Sequence, residues 1–136
     1  MKREFIYAQN FEKCWKALGL TDEALRELEN MILENPDIGD LIQGTGGLRK
    51  TRYGIDKRGK SGGIRVLYVD FEFYETTSFL YAYPKSETED ITDKQKQMFK
   101  RAINAILVQL SKERGLKISL IEKGEEFLKE AEIINY

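Results

Sequence analysis

The sequence predicts an α+β fold of the order β-αα-βββ-α: an N-terminal strand and helical hairpin, a three-stranded antiparallel meander, and a C-terminal helix or helices. Three observations predict it. Two runs with helical apolar spacing fall before residue 36. An apolar, β-branched run at Ile64–Phe71 is followed by a second strand-like run, Thr76–Tyr83, that can pair with it as a hairpin. A third helical pattern follows Pro84 and opens on a capping box. At 136 residues the chain has the length of one domain and can bury a core without a disulfide or metal staple.

Each element has a local reason. Residues 3–8 (REFIYA) are aromatic and β-branched enough for a short first strand. Phe11, Trp15 and Leu18 then lie on one helical face. Thr21 starts a second helix, with Asp22 and Glu23 in the first turn where the helix dipole favours anions. Leu25, Leu28, Ile32 and Leu33 form its apolar stripe. Asn35-Pro36 ends it, because the residue before proline is pushed out of the helical region. Gly44–Gly47 (GTGG) leads into a strand and lacks a Lys-Ser/Thr pair at phosphate-loop spacing, so it predicts a tight turn. Leu48–Tyr53 alternates as a half-exposed strand, and residues 54–63 are a loop by composition. Thr92 and Gln95 cap the last helix, whose stripe is Phe99, Ile103, Ile106, Leu107 and Leu110, and Gly115 breaks it. Residues 111–136 read as a C-terminal helical extension of the same domain: either an amphipathic helix packed on the core, or a segment, Leu116–Tyr136, whose five glutamates (Glu122, Glu125, Glu126, Glu130, Glu132) dock over the basic cleft.

Composition narrows the chemistry. The chain has no histidine and one cysteine, Cys14, which removes Ser-His and Cys-His devices, an internal disulfide and any thiolate cluster. No metal and no cofactor is therefore expected, and any catalysis falls to Lys, Arg, Tyr and carboxylates. No apolar run reaches the roughly 18 residues of a membrane span. The opening MKREFIYAQNF lacks the apolar core of a signal peptide, which predicts a cytoplasmic protein.

The net charge of −1 conceals an asymmetry. Between Gly44 and Arg65 stand Arg49, Lys50, Arg52, Lys57, Arg58, Lys60 and Arg65 against Asp56 alone, a local +6 that leaves −7 to the other 114 residues. Leu20–Asp40 carries seven acids against Arg26, either a partner surface or a solvated face. A dense basic segment in a near-neutral chain points to one localised polyanion site. Arg49, Lys50, Arg52 and Arg58 are candidate RNA-binding residues, and the glycines around Lys57, Arg58 and Lys60 let that loop approach a backbone closely.

Arg65 interrupts an otherwise apolar strand, where a guanidinium is costly to bury unless it meets an anion. Pairing the two strands of the hairpin brings Arg65, Lys85 and Tyr83 to one edge of the sheet. Such a group can cleave RNA without histidine or metal. The 2′-hydroxyl attacks the adjacent phosphate, Arg stabilises the phosphorane, and a Lys serves as acid or base. Tyr83 can orient, protonate or stack on a base.

Three segments together, residues 35–50 (NPDIGDLIQGTGGLRK), 58–68 (RGKSGGIRVLY) and 80–85 (LYAYPK), resemble the RelE/HigB toxins of bacterial type II toxin–antitoxin systems. The resemblance covers Phe5–Leu110 and marks residues 1–110 as the toxin domain. It implies a ribosome-dependent mRNA endoribonuclease that inhibits translation and is silenced by a cognate antitoxin. It implies that Arg65 stabilises the phosphate, that Lys85 closes the active-site strand, and that Lys57 and Lys60 belong to the basic loop. Where several relatives place a catalytic Tyr or His after the last strand, this chain reads SETED at 86–90, so the general acid or base stays open. Two other readings of the same fold are a ParE-like gyrase-inhibiting toxin and a catalytically inactive nucleic-acid or protein-binding module.

Overall fold

A computed structural model describes residues 3–54, 63–85 and 91–114. The elements are β1 (Glu4–Tyr7), α1 (Gln9–Ala17), α2 (Asp22–Glu34), β2 (Asp40–Leu41), β3 (Leu48–Tyr53), β4 (Ile64–Phe71), a 3-10 turn (Glu72–Tyr74), β5 (Thr76–Pro84) and α3 (Asp93–Glu113). The fold is α+β. Lys57, Arg58, Lys60 and the extension from residue 115 onward lie outside the described residues. The chain divides into two compact units, residues 1–41 with 49–91 and residues 42–48 with 92–136.

The first unit is built on a five-stranded sheet ordered β1-β5-β4-β3-β2. The sequence had predicted a meander of three strands. β4 and β5 pair antiparallel as expected, while two further strands flank the meander: β1 runs parallel to β5, and β2 pairs antiparallel with β3. β1 joins a strand some seventy residues away, which no local pattern encodes, and β2 is too short to show a period.

On one face of the sheet, α1 and α2 pack over Tyr53, Ile64, Val66, Tyr68, Phe79 and Ala82. Fully buried Phe79 sits among the rings of Phe5, Tyr7, Phe11 and Tyr68, with centroids 5.7, 5.8, 5.2 and 6.3 Å away. These separations fall in the favourable range for aromatic pairs. The β4–β5 register steps from Leu67↔Tyr81 to Tyr68↔Phe79, so Leu80 is the extra residue of a bulge. The bulge lets Ala82 and Phe79, three positions apart, both reach the α1–α2 core.

Helix ends follow the local rules. Thr21 accepts from the Ala24 N–H at 3.1 Å, and α2 stops at Glu34 before Asn35-Pro36. In the second unit, Thr92 and Gln95 form the complete capping box of α3. Gly44, Gly46 and Gly47 all have positive φ, the turn expected of GTGG. The buried Thr45 closes that turn, its hydroxyl donating to the Ile42 carbonyl at 2.6 Å and accepting from the Leu48 N–H at 3.0 Å.

Two acids of the acidic segment serve the fold. Tyr7 donates to Glu29, and Tyr53 donates to Glu27 at 2.5 Å, each tying α2 to a strand. Burial, followed by donation to a carboxylate, raises both phenols well above their usual range; burial also raises Tyr68. Above about pH 10 the unfolded chain therefore releases tyrosine protons that the folded chain keeps, so stability falls as pH rises past that value. Tyrosinate absorbance on alkaline titration is expected to show these phenols ionising only with unfolding. In Tyr53→Phe the unfolding-linked amplitude should shrink. A phenol of Tyr53 that titrates in the folded protein near pH 10 would contradict this.

Candidate nucleic-acid interface

The other face of the sheet is set by strand alternation. Tyr53 of β3 and Ile64, Val66 and Tyr68 of β4 point into the α1–α2 core, so Lys50 and Arg52 of β3 and Arg65 of β4 point the opposite way. Arg65 lies directly across from Tyr83, and Leu67 across from Tyr81. The Lys85 N–H donates to the Gly63 carbonyl at 3.0 Å, which carries the same register one pair further. Lys50, Arg52, Arg65 and Lys85 thus share a face with Tyr81 and Tyr83. The face is mixed rather than purely basic, because Leu67 and Val69 are buried beside Arg65.

Arg65 carries the distinctive feature. One terminal guanidinium nitrogen is buried and has no hydrogen-bond partner among the described residues. Orphaned buried donors are uncommon and costly in native proteins, which ordinarily pair them. A guanidinium supplies a planar fork matched to phosphate or carboxylate oxygens. Lys85 and Arg52 are exposed, and Lys50 is half-buried. Tyr83 is only 3% exposed, whereas Tyr81 beside it is half-buried, with ring centroids 5.7 Å apart.

Arg49 is not part of this group. Its guanidinium donates to the Gly39 carbonyl at 2.7 Å and to the Asp37 carbonyl at 3.4 Å, and it pairs with the exposed Asp37 carboxylate at 3.4 Å. It therefore holds the segment between α2 and β2. Adjacent residues of a strand face opposite ways, so Arg49 and Lys50 are separated although they are neighbours in sequence. Among the described residues no cluster of Cys, Asp or Glu is arranged to hold a metal ion. None of the helices there is long and apolar enough to cross a membrane.

A family model described as the RelE toxin of the RelE/RelB toxin–antitoxin system matches residues 3–128. The chain belongs to the RelE toxin family. Among solved structures, it is similar to the isolated E. coli RelE toxin at 18% identity, with 74% of this chain and 99% of that chain covered and a TM-score of 0.47. A free-state double arginine-to-alanine mutant of E. coli RelE matches at 17% identity over 65% of this chain and 90% of that one, also with a TM-score of 0.47.

Within this RelE-family chain, the structure gathers Lys50, Arg52, Arg65, Lys85 and Tyr83 on one sheet face and leaves Arg49 on the other. Lys57, Arg58 and Lys60 lie outside the described residues. Sequence reasoning passed over Tyr81. The signal for it was present, since Tyr81 stands two residues before Tyr83 and an unbroken strand presents both on one face. Tyr68 and Gly39 were also passed over as a pair. The Tyr68 hydroxyl donates to the Pro36 carbonyl at 2.8 Å and accepts from the Gly39 N–H at 2.9 Å, fixing the turn between α2 and β2.

Proposed function

We propose that this chain is the toxin of a type II toxin–antitoxin pair and cleaves mRNA on the ribosome, inhibiting translation in the cytoplasm until a cognate antitoxin binds it. The observation that carries this reading is the buried guanidinium nitrogen of Arg65, without a partner among the described residues, on a face shared with Lys50, Arg52 and Lys85. Membership of the RelE family supports it.

In the proposed reaction the ribose 2′-oxygen attacks the adjacent phosphorus. A 2′-O–P bond forms and the P–O5′ bond breaks, giving a 2′,3′-cyclic phosphate and a 5′-hydroxyl. Arg65 donates to the non-bridging oxygens as negative charge grows on them, an interaction stronger in the phosphorane than in the substrate. Lys85 gives a proton to the departing 5′-oxygen, and Lys57 or Lys60 receives the 2′-proton. Tyr83, buried opposite Arg65, positions the guanidinium. Lys50, Arg52 and Arg58 hold flanking phosphates, contacts that position the strand without reading its sequence. The absence of histidine is consistent with a site run by cations.

A cell-free translation extract tests this, comparing wild type with the Arg65→Ala/Lys85→Ala double variant while mRNA 5′ ends are mapped. Lost translation with new 5′ ends for wild type alone is the expected outcome. Intact mRNA with normal translation would overturn the ribonuclease reading, and inhibited supercoiling in a parallel assay would move the target to gyrase.

A further inference from the structure

We propose that Tyr81 is a substrate-positioning residue, a stacking platform for the nucleobase adjoining the phosphate held at Arg65. The proposal rests on the reading of this face as an RNA site and adds a second contact to it. Three observations carry it. Strand register places Tyr81 on the same sheet face as Arg65, two residue pairs along the ladder, since Arg65 pairs with Tyr83 and Leu67 with Tyr81. Of the two tyrosines there, Tyr83 is buried, while Tyr81 is half-buried and so keeps part of its surface exposed. The packing of Tyr81 against Tyr83, tilted by 32°, backs that ring with another.

The spacing suits a nucleotide. Diagonal cross-strand neighbours on one face lie about 7–8 Å apart at the backbone, within reach of long and aromatic side chains. A base and its own phosphate are separated by a comparable length of ribose and backbone, so one nucleotide can span from Arg65 to Tyr81. Aromatic stacking is a general means of holding unpaired bases, and it tolerates sequence variation because every base offers a π-face. The hydroxyl is dispensable for stacking. Phenylalanine should therefore substitute for Tyr81, and leucine should not.

Two measurements test the proposal. In mRNA cleavage assays, Tyr81→Leu is expected to raise KM by about 5- to 100-fold, the scale of one base–aromatic stack, with kcat within a few-fold of wild type. Tyr81→Phe should restore KM. The second measurement needs no catalysis. Fluorescence of Tyr81→Trp is followed as a single-stranded 2′-O-methyl RNA tetranucleotide, which cannot cleave itself, is added. The chain's one native tryptophan, Trp15, is buried and gives the baseline from wild type. Quenching in Tyr81→Trp that is absent from wild type and weakened by Arg65→Ala is the expected result. Quenching without mRNA cleavage by wild type would keep the stacking site and sink the ribonuclease reading. Absence of quenching, or a KM unmoved in Tyr81→Leu, would overturn the Tyr81 assignment while leaving that reading in place.

Discussion

Replacing Arg65 with methionine is expected to cut RNA cleavage by about 10²- to 10³-fold in kcat, the scale of losing one preorganised donor to a developing anion, without loss of fold stability. The two halves of this result share one cause. A buried guanidinium nitrogen with no partner among the described residues costs about 1–3 kcal/mol, because water has been removed and no described group replaces it. Methionine keeps much of the apolar stem and removes the unsatisfied donor. The melting temperature should hold or rise by a few degrees, on the general scale of about 4–8 °C per kcal/mol for a small domain. Thermal melting and steady-state cleavage of the same preparations check both halves. A variant that melts several degrees lower would mean that the guanidinium serves the fold instead, and unchanged cleavage would remove Arg65 from the reaction. Opposed effects on stability and activity are the pattern expected where a residue is held for function.

Gly39→Ala is expected to destabilise the protein by about 1–3 kcal/mol, the usual cost of overpacking a filled interior. A Cβ built on Gly39 would stand 2.8 Å from Cε1 of Tyr68, 3.0 Å from its hydroxyl oxygen and 3.1 Å from Cβ of Arg49. Tyr68 is fully buried and its hydroxyl is held by Pro36 and Gly39, so the ring has little room to withdraw. Tyr68→Phe should cost a similar amount by a different route, leaving the Gly39 N–H and the Pro36 carbonyl without the hydroxyl that satisfies both. Because both substitutions break one clamp, the double variant should be less destabilised than the sum of the singles. Chemical denaturation of the three variants checks this, and strict additivity would show that the two residues act separately. The clamp gives the NPDIGD stretch a structural role. It shapes the turn into β2, and its glycine is required by close approach to a tyrosine 29 positions away in sequence.

How much of this was legible in the sequence depended on the range of the interaction. The Thr92–Gln95 capping box, the end of α2 before Asn35-Pro36 and the positive-φ turn at Gly44–Gly47 each arise within a few residues, and each stands where local chemistry put it. β4 was equally plain, because β-branched, aromatic and apolar residues fill six of its eight positions, all but Arg65 and Asp70. The basic segment was visible as charge, and strand alternation already set Arg49 apart from Lys50 and Arg52. What sequence left open was where each side goes: the structure turns Arg49 toward Asp37 and Gly39 and sends the other two to the face of Arg65. Similarly, Tyr83 drew attention by standing two residues before Lys85, yet it is buried while Tyr81 is half-buried.

By itself, then, the sequence determined the types and order of the main elements, the family, and a set of side chains without histidine, in which any catalysis falls to Lys, Arg, Tyr and carboxylates. These follow from short-range backbone preferences, apolar periodicity and composition, all of which are complete within a few turns of chain. Only the tertiary structure decided that β1 runs parallel to β5, that a bulge at Leu80 swings Phe79 into the aromatic core, and that Lys50 and Arg52 join Arg65's face. Those outcomes depend on contacts between residues far apart in the chain. A one-residue shift in strand register would send each side chain to the opposite face, and local sequence carries no record of that choice.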